Sequence, residues 1–278
     1  MGKGSLMKKY LYCVLFLYAA FCLCAGAAAG RASAKTVKGT LLASDGVSIA
    51  YERYKNGFEK VVIICPGFYN SKKNRWMRKT ADFISSGYDV IVFDLRGHGE
   101  SGGKFTWSAK EHNDLNAVID YAKAEGYKDV GVVAFSLGAA SAINAASARD
   151  DIGSMVLIST PSSFKMVNFH FWEPGMFSDL KDNIECKWEG KGARCGSIFT
   201  PKKRPIDTVG SIKTTPILFI HGDRDWLVKD CHSRKLYEAA RVYKKIEIIE
   251  GGLHAERIIQ SNPGMMKELI LDWFSETL

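Results

Sequence analysis

An α/β fold built on a mostly parallel sheet is predicted by three observations in this chain. Short runs that are apolar throughout, such as Val90-Ile91-Val92-Phe93 and Met155-Val156-Leu157-Ile158, have the pattern of strands buried on both faces. Stretches with apolar residues at helical spacing lie between them. The length and apolar content, 278 residues and 46%, suffice for one large core.

The N-terminus stands apart from that pattern. Lys8 and Lys9 precede an uncharged apolar run over residues 10–29, followed by Ala32-Ser33-Ala34. These are the three parts of a secretory signal peptide, so residues 1–34 are expected to be an export signal and residues 35–278 the exported domain. An uncleaved membrane anchor is the alternative, because the run is long enough to span a bilayer. Residues 40–43 and 47–54, joined by Ser44-Asp45-Gly46, read as a β-hairpin. Residues 60–65 make the next strand, and Trp76, Thr80, Phe83 and Ile84 mark the helix after it. After the strand at 90–93, Ser108-Ala109-Lys110-Glu111 reads as a capping box opening a helix whose buried face is Leu115, Val118, Ile119 and Ala122. Strands follow at 129–133, 155–158, 216–220 and 245–249, with helices from Ala139, around residues 236–243, and at the C-terminus. Asn262 and Pro263 suit the N-cap and first turn of that last helix. Residues 161–205 have no such periodicity and carry Phe164, Phe169, Phe171, Trp172, Phe177, Trp188 and Phe199; they are expected to form a cap inserted over the sheet.

Charge and cysteines narrow the function class. Removing residues 1–34 removes four basic residues and no acid, lowering the net charge from +8 to +4. Lys72-Lys73 and Lys202-Lys203-Arg204 read as solvated surface, with no aromatic interleaving of the kind that binds nucleic acid. Cys186 and Cys195 flank a polar, glycine-bearing loop that suits a disulfide in an exported protein; two unpaired thiols are the other reading. Cys65 ends an apolar strand and is expected to be buried. No Cys/His group has zinc-site spacing, and neither a metal nor another cofactor is expected.

Chemistry enters at Ser136. It sits in Ala134-Phe135-Ser136-Leu137-Gly138, between a strand-like run and a small-residue helix, the setting of a nucleophile on a sharp turn that needs small neighbours two residues away on each side. Alanine stands at 134 where glycine is more usual. A serine hydroxyl needs an imidazole to take its proton and a carboxylate to orient that imidazole. His221-Gly222-Asp223-Arg224-Asp225 follows one later strand and Gly251-Gly252-Leu253-His254 another, so a serine, an acid and a histidine recur after separate strands, in that order.

With Pro66-Gly67-Phe68 and Phe93-Asp94-Leu95-Arg96-Gly97-His98-Gly99-Glu100-Ser101, these motifs resemble the α/β-hydrolases of the serine aminopeptidase and monoacylglycerol lipase-like group, over nearly all of residues 40–278. The resemblance implies a Ser136, Asp225 and His254 triad, with Asp223 left as a turn residue. It also implies an oxyanion hole from the backbone N–H groups of Phe68 and Leu137. His98 and His221 are expected to be structural, and His112, His170 and His232 to be surface or packing residues. The activity implied is cleavage of a small-molecule ester without a cofactor, in an exported (periplasmic or secreted) enzyme with no nucleic-acid partner and with a membrane partner only if the N-terminal segment stays attached. An aminopeptidase-like or amidase activity is the alternative, and a non-catalytic binding protein on the same fold is a third reading.

Overall fold

The computed structural model describes residues 35–164, 181 and 192–278. They form one eight-stranded sheet: β1 (Lys35–Leu42), β2 (Ser48–Lys55), β3 (Lys60–Cys65), β4 (Asp89–Phe93), β5 (Asp129–Phe135), β6 (Ser154–Ile158), β7 (Ile217–Gly222) and β8 (Lys244–Ile249). The order is β1-β2-β4-β3-β5-β6-β7-β8; β2 runs antiparallel to β1 and to β4, and every other pairing is parallel. The helices are α1 (Arg75–Ile84), α2 (Glu111–Ala124), α3 (Ser136–Ala146), α4 (Pro205–Thr208), α5 (Cys231–Ala239), α6 (Glu256–Ser261) and α7 (Pro263–Thr277).

Strand pleating divides the core. Val61 and Ile63 of β3 point to one face with Val130 and Val132 of β5, where Leu115, Val118 and Ile119 of α2 and Ala139, Ala142 and Ile143 of α3 cover them. Val62, Ile64 and Val133 point to the other face, under Met77 and Ile84 of α1 and Met266, Ile270 and Phe274 of α7. Both faces are thus covered, which is why the central strands need no polar alternation. Because β3 lies between β4 and β5, the chain leaves β3 toward one edge and β5 toward the other. Their carboxyl ends therefore border a crevice, the usual ligand position in an open α/β sheet.

Four expectations need correction. The capping box at Ser108 does not form: α2 begins at Glu111, whose carboxylate instead accepts the backbone N–H and hydroxyl of Thr106. Ser108 has φ +67° and donates its hydroxyl to the Leu137 carbonyl at 3.1 Å. The helix expected around 236–243 spans Cys231–Ala239; its buried side is His232, Ser233 and Leu236, two of them polar, so apolar periodicity could not mark its start. Lys72 is not solvated: it is 1% exposed, and its ammonium donates to Asp94 (2.7 Å) and Glu100 (2.5 Å). Lys202 is partly buried as well, with its ammonium 2.8 Å from the Ile198 carbonyl.

The N-terminal segment, Cys186, His170 and most of the aromatic insertion lie outside the described residues. Cys195 is exposed with a free thiol. Among the described residues no helix is long and apolar enough to cross a membrane.

Candidate active site

Ser136 is the first residue of α3 and has φ +50°, a left-handed conformation that a non-glycine residue adopts only under local constraint. The constraint is the close approach of the segment after β3. A Cβ on Gly138 would lie 2.2 Å from the Pro66 carbonyl oxygen, and one on Gly67 would lie 3.1 Å from the Ser136 Cβ. Gly138 is therefore obligatory. Ala134, fully buried and paired with Cys65 across the ladder, keeps its methyl group in the core.

His254 comes from the loop after β8, with Nε2 3.0 Å from Ser136 Oγ and Nδ1 2.7 Å from Asp225 Oδ2. An ionised carboxylate only accepts, so Nδ1 carries the proton and the Nε2 lone pair faces the serine hydroxyl. Asp225, in the loop after β7, is fully buried, and its Oδ1 accepts the N–H groups of Leu227 (3.0 Å) and Val228 (2.8 Å). Burial alone would raise the Asp225 pKa, but the His254 charge and hydrogen bonds from His221 and His254 outweigh it and hold the group well below the usual carboxylate range. The second His221 interaction is structural: Nε2 lies 2.8 Å from the Val228 carbonyl and 3.2 Å from Asp225, while Nδ1 faces Ser233 Oγ at 2.6 Å.

Asp223 stands apart from this line. Its Oδ1 accepts the N–H of Gly251 at 2.7 Å, so it ties the loop after β7 to the loop that carries His254, a longer reach than a local turn bond. Ala255, next to His254, has φ +48° and donates its N–H to Ser159 Oγ at 2.9 Å, which fixes the same loop to the end of β6.

Phe68 and Leu137 are each one residue from the Gly67–Ser136 contact. Leu137 lies in the first turn of α3, where backbone N–H groups have no intrahelical partner. Phe68 lies in the turn closed by Asn70 N–H to Gly67 O, and its ring stacks on Trp107 with centroids 5.1 Å apart. Bonds to His98 and Glu256 help anchor this loop. Tyr69 N–H donates to His98 Nε2 at 3.0 Å, and Asn70 Nδ2 donates to Glu256 Oε1 at 2.7 Å. His98 is fully buried with its Nδ1 3.1 Å from the Arg96 carbonyl, and burial lowers its pKa. His232, also buried, faces Ser162 through Nδ1.

The match of an α/β hydrolase fold family model to residues 60–182 agrees with this topology. The chain has the α/β-hydrolase fold. Among solved structures of this fold, the esterase Pf2001 of Pyrococcus furiosus is similar with a TM-score of 0.67 and 27% identity, over 88% of this chain and 94% of that one. The uncharacterized protein YqkD of Bacillus subtilis is 26% identical over 205 residues, which are 70% of this chain and 64% of YqkD, so the chain spans less than two thirds of that relative. The uncharacterized membrane protein YNL320W of Saccharomyces cerevisiae is 27% identical over 232 residues, 80% of this chain and 74% of that protein.

Beside Leu137, the residue after Ser136, lies a cavity of about 280 Å³. Its floor is Leu137 and Ala140, and Trp107, Pro161 and Phe164 form apolar walls. Ile198 and Pro205 of the return segment of the insertion also line it.

Proposed function

We propose that the protein is a serine hydrolase that cleaves a carboxylic ester through an acyl-enzyme intermediate. The observation that carries this reading is the single hydrogen-bonded line from Ser136 Oγ through His254 to the buried Asp225. As Ser136 Oγ bonds to the ester carbonyl carbon, its proton passes to His254 Nε2 and the carbonyl electrons move onto oxygen. The N–H groups of Phe68 and Leu137 are the donors assigned to that oxyanion, where one preorganised donor contributes about 2.7–4 kcal/mol. Collapse of the tetrahedral species breaks the C–O bond to the alcohol, which takes the proton from His254. Water then attacks the acyl-serine by the same route, releasing the acid and restoring the Ser136 hydroxyl. Asp225 keeps His254 in the required tautomer throughout.

The low pKa of Asp225 supports this role, because it stays ionised while imidazolium forms beside it. Short apolar acyl groups suit the apolar cavity at Leu137. The signal-like residues 1–34 support export of the enzyme. Turnover of short-chain aryl esters by the purified domain, set beside matched thioesters and amides, tests the reading: ester cleavage lost in both Ser136→Ala and His254→Ala is expected, and undiminished cleavage in either would overturn it.

A further inference from the structure

We infer that the cavity beside Leu137 receives a substrate arm that is apolar along its length and ends in an anion, so that the preferred esters carry a negative charge at the end of that arm. The inference rests on the proposed ester hydrolysis, since it assigns a substrate class to the same site. Its lining is mostly apolar, with Ser108 and Ser163 among it, and carries three consecutive cations, Lys202, Lys203 and Arg204.

These cations are not equivalent. Arg204 is taken up by Asp207 through a two-pronged ion pair with both contacts at 2.5 Å. Lys202 and Lys203 form no ion pair among the described residues. The Lys202 ammonium is held at the cavity edge, 2.8 Å from the Ile198 carbonyl and 5.0 Å from the centre of the Phe164 ring. Burial lowers its pKa, and the charge of Glu111 only partly offsets this. Glu111 itself is buried and engaged by Thr106. A partly desolvated ammonium whose acceptor among the described residues is a neutral carbonyl gains from an arriving carboxylate, because charge-assisted bonds are the stronger kind. The exposed Lys203 beside it adds a second attraction, and among the described residues no acid lines the cavity to oppose it. An uncharged arm would use the apolar walls but bring no counter-charge to either ammonium group.

Binding to the full-length Ser136→Ala protein reads this preference without turnover. Calorimetry would compare the monomethyl ester of adipic acid with its dimethyl ester, and a second pair would place the carboxylate on the alcohol side. The expected result is about tenfold tighter binding of the anion in one of the two pairs, a ratio that falls as salt rises. Lys202→Gln with Lys203→Gln in the same background should bring that ratio close to one. Equal affinity within both pairs, failure of all four ligands to bind, or a preference that survives loss of both lysines would overturn the inference. Turnover of a neutral aryl ester by the unsubstituted protein reports separately on the proposed function: ester cleavage with no charge preference would contradict this inference alone, and no cleavage would contradict the function while the binding ratio still stands or falls by itself.

Discussion

The side chain of His98 accepts the backbone N–H of Tyr69 at 3.0 Å, joining the loop after β4 to the loop that carries Phe68. Tyr69 has φ +69°, and this bond fixes that unusual turn one residue from a proposed oxyanion donor. His98 is thus a positioning residue that need not touch substrate. His98→Ala should lower kcat by about ten- to hundredfold, less than outright loss of a donor, with KM little changed. His98→Gln, which keeps an acceptor at similar reach, should recover part of the loss. Steady-state kinetics on one aryl ester checks the split; a purely structural role would lower the amount of folded enzyme and leave kcat per active site unchanged.

Asn70 and Glu256 are 186 residues apart in sequence and joined by a buried hydrogen bond that links the Phe68 loop to the helix after His254. Glu256→Gln keeps an acceptor oxygen and should be nearly silent. Glu256→Ala leaves the Asn70 amide without that partner and should cost about 1–3 kcal/mol in urea unfolding.

At the elbow the two small residues should respond differently. Gly138→Ala would drive a methyl group against the Pro66 carbonyl oxygen, so the segment leading to Phe68 must shift; a loss of about 1–3 kcal/mol in stability and of most activity is expected. Ala134→Gly removes only a buried methyl from a strand and should cost about 1 kcal/mol while activity remains. Thermal melting and ester turnover of the two variants check the contrast.

Acid should destabilise the fold in stages. The unfolded chain takes up a proton at His98 near its ordinary pKa of 6.5, whereas burial lowers the folded value, so the unfolded state binds more protons and stability falls as pH drops below about 6.5. Glu100, held down to about 2 by Lys72 and Lys73, adds a second loss between its ordinary 4.5 and that value, and Asp225 is shifted in the same direction. His112 is lowered in the same way, whereas Asp114, raised by burial to about 7, gains a proton on folding and offsets part of the loss. In melting temperatures followed from pH 8 downward, His98→Gln should therefore reduce the decline below about pH 6.5 rather than abolish it.

The parts of the fold that were legible in sequence are those written in local patterns. Fully apolar strands point to the parallel sheet, and the order serine, acid and histidine after separate strands, with the family resemblance choosing Asp225 over Asp223, points to the residues that the hydrogen-bonded line joins. The Ser108-to-Glu111 capping signal failed because Glu111 serves Thr106 and Ser108 serves the Leu137 carbonyl, a tertiary demand that no local pattern carries. Lys72 looked solvated for the same reason, since Asp94 and Glu100 reach it only through folding. The start of α5 was hidden because its buried residues His232 and Ser233 are polar. The loop anchors at His98 and Asn70 depend on long-range pairing and could be sought in sequence only as polar residues inside otherwise buried motifs.

The proposed hydrolysis depends on activation of Ser136 as a nucleophile by His254. Intact-mass spectrometry of the protein after treatment with a fluorophosphonate tests it most directly. One adduct is expected, mapped to Ser136, absent in Ser136→Ala and strongly slowed in His254→Ala. An unmodified Ser136, or labelling that proceeds at an unchanged rate without His254, would rule out a His254-activated Ser136 nucleophile.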